Sequence, residues 1–203
     1  EHNYGHHRNV GTAEDPATAR RGESLYAFWW RSITRSYLHA WQIQRQLLQA
    51  RKKAFWSVGN LMLRFHIGQG FLLLLVFLLF GLSGLLAFFG AAFFGILLLE
   101  TVNYIEHYGL RREKVSAKRY EKTNPSHSWN SDHLLGRWVL FELSRHSDHH
   151  AHPHKKYALL EHWDESPQLP TGYPGMMLLA SLPPLWFALV NPKLERQEQM
   201  AIK

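Results

Sequence analysis

The 203-residue chain contains no cysteine. Disulfides, thiolate zinc sites, iron–sulfur clusters and a thiolate-ligated haem are therefore excluded. Charge is missing from one long stretch, since no Asp, Glu, Lys or Arg occurs in residues 65–99. No nucleic-acid-binding module is present, so the net charge of +7 points to an anionic membrane face or an acidic protein partner. No signal peptide is visible. The chain opens at Glu1 inside a histidine cluster and reads as a piece of something longer.

The mean hydropathy of −0.27 would suit a soluble protein, but the apolar residues are concentrated in one block. As a helix, residues 65–99 would run about 50 Å, too long for one crossing of a hydrocarbon core about 30 Å thick. Gly81-Leu82-Ser83-Gly84 stands near the middle. The sequence therefore predicts a transmembrane helical hairpin over residues 61–105, with arms at 61–80 and 85–105 turning at those glycines. Arg45, Arg51, Lys52, Lys53 and Arg64 precede it, and Arg111, Arg112, Lys114, Lys118, Arg119 and Lys122 follow. Cations at both ends place both on the cytoplasmic side, as two spans require.

Around the hairpin the pattern is also helical. Ser24 is a candidate N-cap for a helix whose Leu25, Phe28, Trp29, Ile33, Tyr37, Ala40 and Trp41 share one face. Arg31, Arg35, Gln42 and Arg45 lie opposite, which suits a helix at the membrane interface or one facing a core. Residues 138–143 read as a short helix. The apolar run 176–190, interrupted by Pro183-Pro184, is too short to span and reads as re-entrant or interfacial. The fold class is an all-α, polytopic membrane protein, one domain over residues 1–203.

The excess is histidine. There are fourteen, ten of them in residues 1–7 and 127–154. In His2-x-x-x-His6-His7, positions i and i+4 share a helical face, so His2 and His6 can grip one ion while His7, turned further round, reaches a second ion or the far side of the first. His146, His149 and His150 form another such face, and His107 just past the apolar block supplies a seventh imidazole. Imidazole suits iron, copper, zinc and nickel, and seven are too many for one tetrahedral ion. Glu1, Glu106 and Asp148 are candidates to accept the other ring N–H of a ligand. His39 and His66 have no partner at ligand spacing, and His152, His154 and His162 follow the second cluster into a Pro-containing loop, so these read as ordinary residues, while His127 and His133 could stand behind the ligands.

These motifs resemble those of the integral-membrane alkane 1-monooxygenases, within the membrane desaturase and hydroxylase superfamily. Glu1-His-Asn-Tyr-Gly-His-His7 is similar to the family's second histidine box, Asn103-Tyr-Ile-Glu-His-Tyr-Gly109 to the short motif that separates it from desaturases, and Arg145-His-Ser-Asp-His-His150 to its last box. The similarity extends through residues 125–130 and 167–173. The resemblance implies two non-haem irons ligated by His2, His6, His7, His107, His146, His149 and His150. It also implies O2-dependent hydroxylation of the terminal methyl of a medium-chain n-alkane, electrons from a rubredoxin and its reductase, and a bacterial inner-membrane location with the site facing the cytoplasm. The family has an earlier box with two further histidines, and nothing here matches it. Those ligands and several helices are expected upstream, so residues 1–203 alone should not catalyse. A fatty-acyl desaturase or another hydrocarbon hydroxylase is the nearest alternative. A metal-ion transporter is a more distant one, because residues 65–99 lack the ionisable groups that transport needs at mid-membrane.

Overall fold

The computed structural model describes residues 1–117 and 119–201. A π-helical turn, His2–His6, runs directly into α1, His7–Asn9. After a buried loop come α2 (Leu25–Ala50) and α3 (Leu61–His107). The Ser24 side chain caps α2 by accepting from the Ala27 N–H, and the Asn60 side chain caps α3 by accepting from the Leu63 N–H. Each cap satisfies a donor that the first helical turn leaves orphaned.

α3 is not one straight rod. Gly81 has φ 64° and ψ −163°, a conformation essentially confined to glycine. The two parts that meet there double back. His66 Nε2 lies 2.9 Å from the Tyr37 hydroxyl, and Trp29 Nε1 donates to Thr101 Oγ1 at 3.2 Å. Tyr37 and Trp29 are about 12 Å apart along α2, whereas residues 66 and 101 of a straight helix would be about 52 Å apart. The break falls at a single residue. Leu82 and Ser83, which the sequence analysis gave to the turn, are already helical. We expect Gly81→Ala to cost about 1–3 kcal/mol of backbone strain, lowering the unfolding midpoint in detergent. Gly90→Ala, at a helical glycine with open space around it, should be neutral or stabilising. Equal midpoints for the two variants would contradict this account of the bend.

The most apolar window of α3 has a mean hydropathy of 2.8 and none of it is buried within the chain. Among the described residues it is the one helix long and apolar enough to cross a membrane. Its last two turns are the exception. Tyr104, Ile105 and His107 are fully buried, packed with Phe28 of α2 and with Tyr173, Met176, Trp186, Val190 and Leu194. These last five come from α6 (Tyr173–Ala180) and α7 (Pro183–Ala201). Pro183 and Pro184 open α7, where their missing N–H groups cost nothing, so the interrupted apolar run becomes a helical pair packed on the base of α3. At Gly109 (φ 74°) a Cβ would come within 2.3 Å of Leu194 Cδ2, so only glycine lets the chain leave α3 beneath α7.

The chain is mostly helical, as expected, with one small addition: β1 (Lys114–Ser116) and β2 (Arg119–Tyr120) form an antiparallel ribbon. One expectation needs correction. The helix expected over residues 138–143 lies earlier, at α4 (Leu134–Val139). Phe141 and Glu142 take positive φ, and Glu142 turns back to pair with Arg137 at 2.8 Å. The Glu142 N–H bonds to the Arg137 carbonyl at 2.7 Å, closing the helix where apolar spacing alone would have continued it.

Candidate metal centre

Three segments far apart in sequence deliver the seven histidines. His2, His6 and His7 come from the first turns, His107 ends α3, and His146, His149 and His150 lie on α5 (His146–Ala151). Their nitrogens fall into two sets. His6, His107, His146 and His150 form a buried set, and His2, His7 and His149 a more exposed one, with one nitrogen per residue lying within 4.8 Å of the others in its set. The sets adjoin, since the His7 and His150 rings are 4.6 Å apart.

The membership differs from the helical-wheel expectation. His2 pairs with His7, Nε2 to Nε2 at 3.1 Å, while His6 joins the other set. The cause is the first turn, in which the His7 N–H bonds to the His2 carbonyl. In a π-helix the i→i+5 bond stacks residues five apart, where an α-helix stacks those four apart. α5 divides in the same way: His146 and His150, at i and i+4, enter the buried set, and His149 enters the other.

The arrangement suits metal ions by three measures. His107 Nε2 and His146 Nε2 are 3.1 Å apart, as are the His2 and His7 nitrogens. Two imidazole nitrogens bound to one ion at about 2.1 Å lie about 3.0–3.4 Å apart over octahedral to tetrahedral angles. A hydrogen bond between imidazoles would match that spacing but leaves other atoms unexplained. His6 Nε2, His7 Nδ1, His107 Nδ1 and both nitrogens of His150 are buried without a partner, a costly condition unless something else binds them. Finally, the ligating form is favoured. Burial, with the neighbouring His6 and His149 imidazoles, pulls His2 down to about 4. Burial and His149 pull His7 down to about 3. Burial also holds His146 and His150 well below their usual value. Neutral imidazoles offer their lone pairs without competition from protons.

Two carboxylates complete the centre. Asp15, wholly buried, accepts from His6 Nδ1 at 2.9 Å, from the Thr18 hydroxyl at 2.6 Å and from the Ala17 N–H at 3.1 Å. Burial would raise its pKa, but those partners hold it below the usual carboxylate value. The bond to Nδ1 fixes the His6 ring with its unpartnered Nε2 turned to the buried set. Glu106 places Oε2 3.3 Å from His146 Nε2 and accepts from the Tyr173 hydroxyl through Oε1 at 2.7 Å. It thus meets the nitrogen facing His107, whereas the other ring nitrogen was expected. Seven neutral imidazoles bring no charge, so Asp15, joined by Glu106 once that carboxyl is ionised, would offset the charge of a bound cation.

The other carboxylates behave differently. Glu1 accepts from His39 Nδ1 at 2.9 Å, outside the two sets. Asp148 turns away from its histidine neighbours. It meets His152 Nδ1, the Lys155 ammonium, the Glu161 N–H and the Trp163 indole at 2.7–3.0 Å, and these contacts bring it down to about 2 against the effect of burial. Its role is to tie the following loop to α5. None of the seven remaining histidines enters either set. His66, His127 and His162 are held instead by Tyr37, Glu121 and Asp132.

Sequence reasoning missed Asp15, which lies in a loop with no periodicity, and Tyr173, whose partner is remote in sequence. The stretches 125–130 and 167–173 pair with each other. The Asn130 N–H donates to the Pro167 carbonyl at 2.8 Å and the Leu169 N–H to the Asn130 carbonyl at 2.9 Å. Behind α5, the Ser147 hydroxyl donates to Asn130 Oδ1 at 3.2 Å and accepts from the Ser166 hydroxyl at 2.7 Å.

Among curated proteins, the chain is 41% identical over 200 residues to an alkane 1-monooxygenase of Acinetobacter baylyi, covering 95% of this chain and 47% of the relative. It is 45% identical over 193 residues to an alkane 1-monooxygenase of Ectopseudomonas oleovorans, covering 95% and 48%. It is 28% identical over 205 residues to the hydroxylase component of a xylene/toluene monooxygenase of Pseudomonas putida, covering 96% and 51%. The chain therefore spans about half the length of the curated relatives it matches. The sequence pattern of fatty acid desaturases matches residues 1–180, and with the histidine-lined centre falling wholly inside that match, the chain belongs to the fatty acid desaturase family.

Proposed function

We propose that this protein is an integral-membrane hydroxylase that uses O2 to convert the terminal methyl of medium-chain n-alkanes into a primary alcohol. Its site would hold two non-haem irons, through His6, His107, His146 and His150 in one set and His2, His7 and His149 in the other. The observation that carries this reading is the convergence of seven imidazoles from three segments into two adjoining sets, in a chain 41–45% identical to proteins named alkane 1-monooxygenase. When bound, the irons would supply what side chains cannot, the cleavage of O2 so that one oxygen atom enters a C–H bond and the other leaves as water.

The chain's own residues prepare that chemistry. Asp15 holds His6 with Nε2 inward, Glu106 once ionised offsets positive charge, and Tyr173 keeps the Glu106 carboxyl in place. The four buried histidines are shielded from water by the aromatic base of α3 and by α5. The apolar arms of α3 would lie in the bilayer with both ends toward the cytoplasm. Alkanes concentrate there, gaining about 0.8 kcal/mol for each methylene removed from water. Two electrons per turnover would come from a rubredoxin-type donor, drawn by the basic residues flanking the hairpin.

Octane and labelled O2, given to membranes with the complete natural polypeptide, a rubredoxin and its reductase, should yield labelled 1-octanol. Elemental analysis should find two irons per chain. Zinc in place of iron, or no octanol alongside a desaturated fatty-acyl product, would overturn the reading. The desaturase family match is what makes that second outcome the rival.

A further inference from the structure

No Asp or Glu occurs in residues 24–99, yet four cations gather at the end of α2 and the loop that follows: Arg45, Arg51, Lys52 and Lys53. Among the described residues none of the four has a side-chain hydrogen bond or ionic partner. The negative end of the α2 dipole is worth about half a charge and acts over the last turn, so it accounts for at most one of them. The cluster is also not a loose fringe. Lys52 takes φ 53°, ending the helix and turning the chain so that the Lys53 N–H bonds to the Leu48 carbonyl at 2.9 Å. The Lys53 side chain then lies over Gly59, whose added Cβ would fall 2.9 Å from Lys53 Cδ. Phe55 stacks on Trp41 with ring centroids 5.8 Å apart.

The result is a cavity of about 540 Å³ lined by Arg45, Leu48, Gln49, Lys53, Phe55 and Trp56. It sits at the foot of the first arm of α3, one turn of chain before Asn60 caps that arm. Trp56 and Val58 beside it are 81% and 88% exposed. One wall is cationic and amide-bearing, and the other is aromatic, with Phe55 linked through Trp41 to His66 at the start of the apolar arm. We propose that this cavity binds the phosphate headgroup of an anionic phospholipid, whose acyl chains lie along the exposed Leu61, Phe65 and Leu72 side. Free phosphate would answer to the cations but not to the aromatic wall or to the apolar surface running away from it. Exposed Trp and basic residues at one level also match how side chains distribute at a membrane–water boundary.

The inference rests on the membrane embedding of α3 proposed above, and the two can fail separately. Insertion of the full chain into pure phosphatidylcholine nanodiscs tests embedding, and headgroup preference tests the cavity. In mixed discs, native mass spectrometry should show retained phosphatidylglycerol favoured over phosphatidylcholine by about tenfold, given roughly a kilocalorie-scale gain per basic residue at the surface. The double variant Arg45→Gln/Lys53→Gln should bring that preference close to parity. Lys114→Gln/Lys122→Gln, with the same change in charge beyond the other end of α3, should leave it intact, and millimolar inorganic phosphate should not displace the lipid. Insertion with no headgroup preference, equal loss in both double variants, or displacement by phosphate would each overturn the proposal. So would loss of donor-driven turnover in Arg45→Gln/Lys53→Gln with the lipid preference unchanged, which would assign the cavity to an acidic protein.

Discussion

On the proposed di-iron hydroxylase reading, His150→Ala is expected to remove about one equivalent of iron per chain and to lower alkane hydroxylation by more than roughly a hundredfold. The lower bound follows from the 10–100-fold cost of changing residues that merely orient metal ligands. His150 is 3% exposed, and its ring centroid lies 4.5–4.9 Å from those of His146, His6 and His107 and 4.6 Å from that of His7. It is thus the residue in closest touch with both sets. Stability separates this role from plain packing. In metal-free protein both nitrogens of His150 are buried without partners, a penalty of about 1–3 kcal/mol for each such group. Removing the ring should therefore leave the metal-free unfolding midpoint unchanged or raised, while the gain in midpoint on adding iron shrinks. His154→Ala, on an exposed residue of the next loop, should change none of these readings. A His150→Ala protein that still binds two irons would contradict the assignment.

Asp15→Ala should weaken metal binding by about 10–100-fold without removing a ligand. The carboxylate holds His6 by Nδ1 and adds negative charge at the edge of an otherwise neutral donor set. Asp15→Asn separates these two contributions. Its amide oxygen can still accept from the ring and from the Thr18 hydroxyl, although its NH2 then faces the Ala17 N–H, so it should recover most of the orientation but not the charge. Metal titrations should rank wild type above Asn and Asn above Ala. Identical affinities for all three would show that His6 needs no anchor, and equal loss for Asn and Ala would show that charge alone matters.

Much of this site was legible in the sequence because imidazoles are rare and their spacing is informative. The seven histidines named from H-x₂₋₃-H-H spacing and from the position just past the apolar block are those that converge. Their division into sets was not legible. Helical-wheel geometry pairs His2 with His6, and nothing in Glu1-His-Asn-Tyr-Gly-His-His7 announces a π-turn. Asp15 was hidden because its meaning lies in a contact nine residues away, through a loop with no periodicity to read. Tyr173 was hidden for a like reason, since Glu106 is 67 residues distant in sequence. The bend in α3 was legible from length and glycine together, since neither a straight helix nor an ordinary turn fits residues 65–99. Its narrowing to Gly81 alone depends on a backbone angle. The β1–β2 ribbon lies in charged sequence with no apolar alternation, where a short strand leaves no trace.

The unusual first turn also bears on how two sets of imidazoles can adjoin and remain separate. Because one extra residue is wound into it, a seven-residue peptide presents His6 to one neighbour and His2 with His7 to the other. Winding it tighter by a single residue would set His6 beside His2 and swing His7 away, so the three side chains would be shared out differently between the two sets. The spacing between the sets is thereby written into the pitch of the backbone itself, and no separate loop or domain is needed to keep them apart.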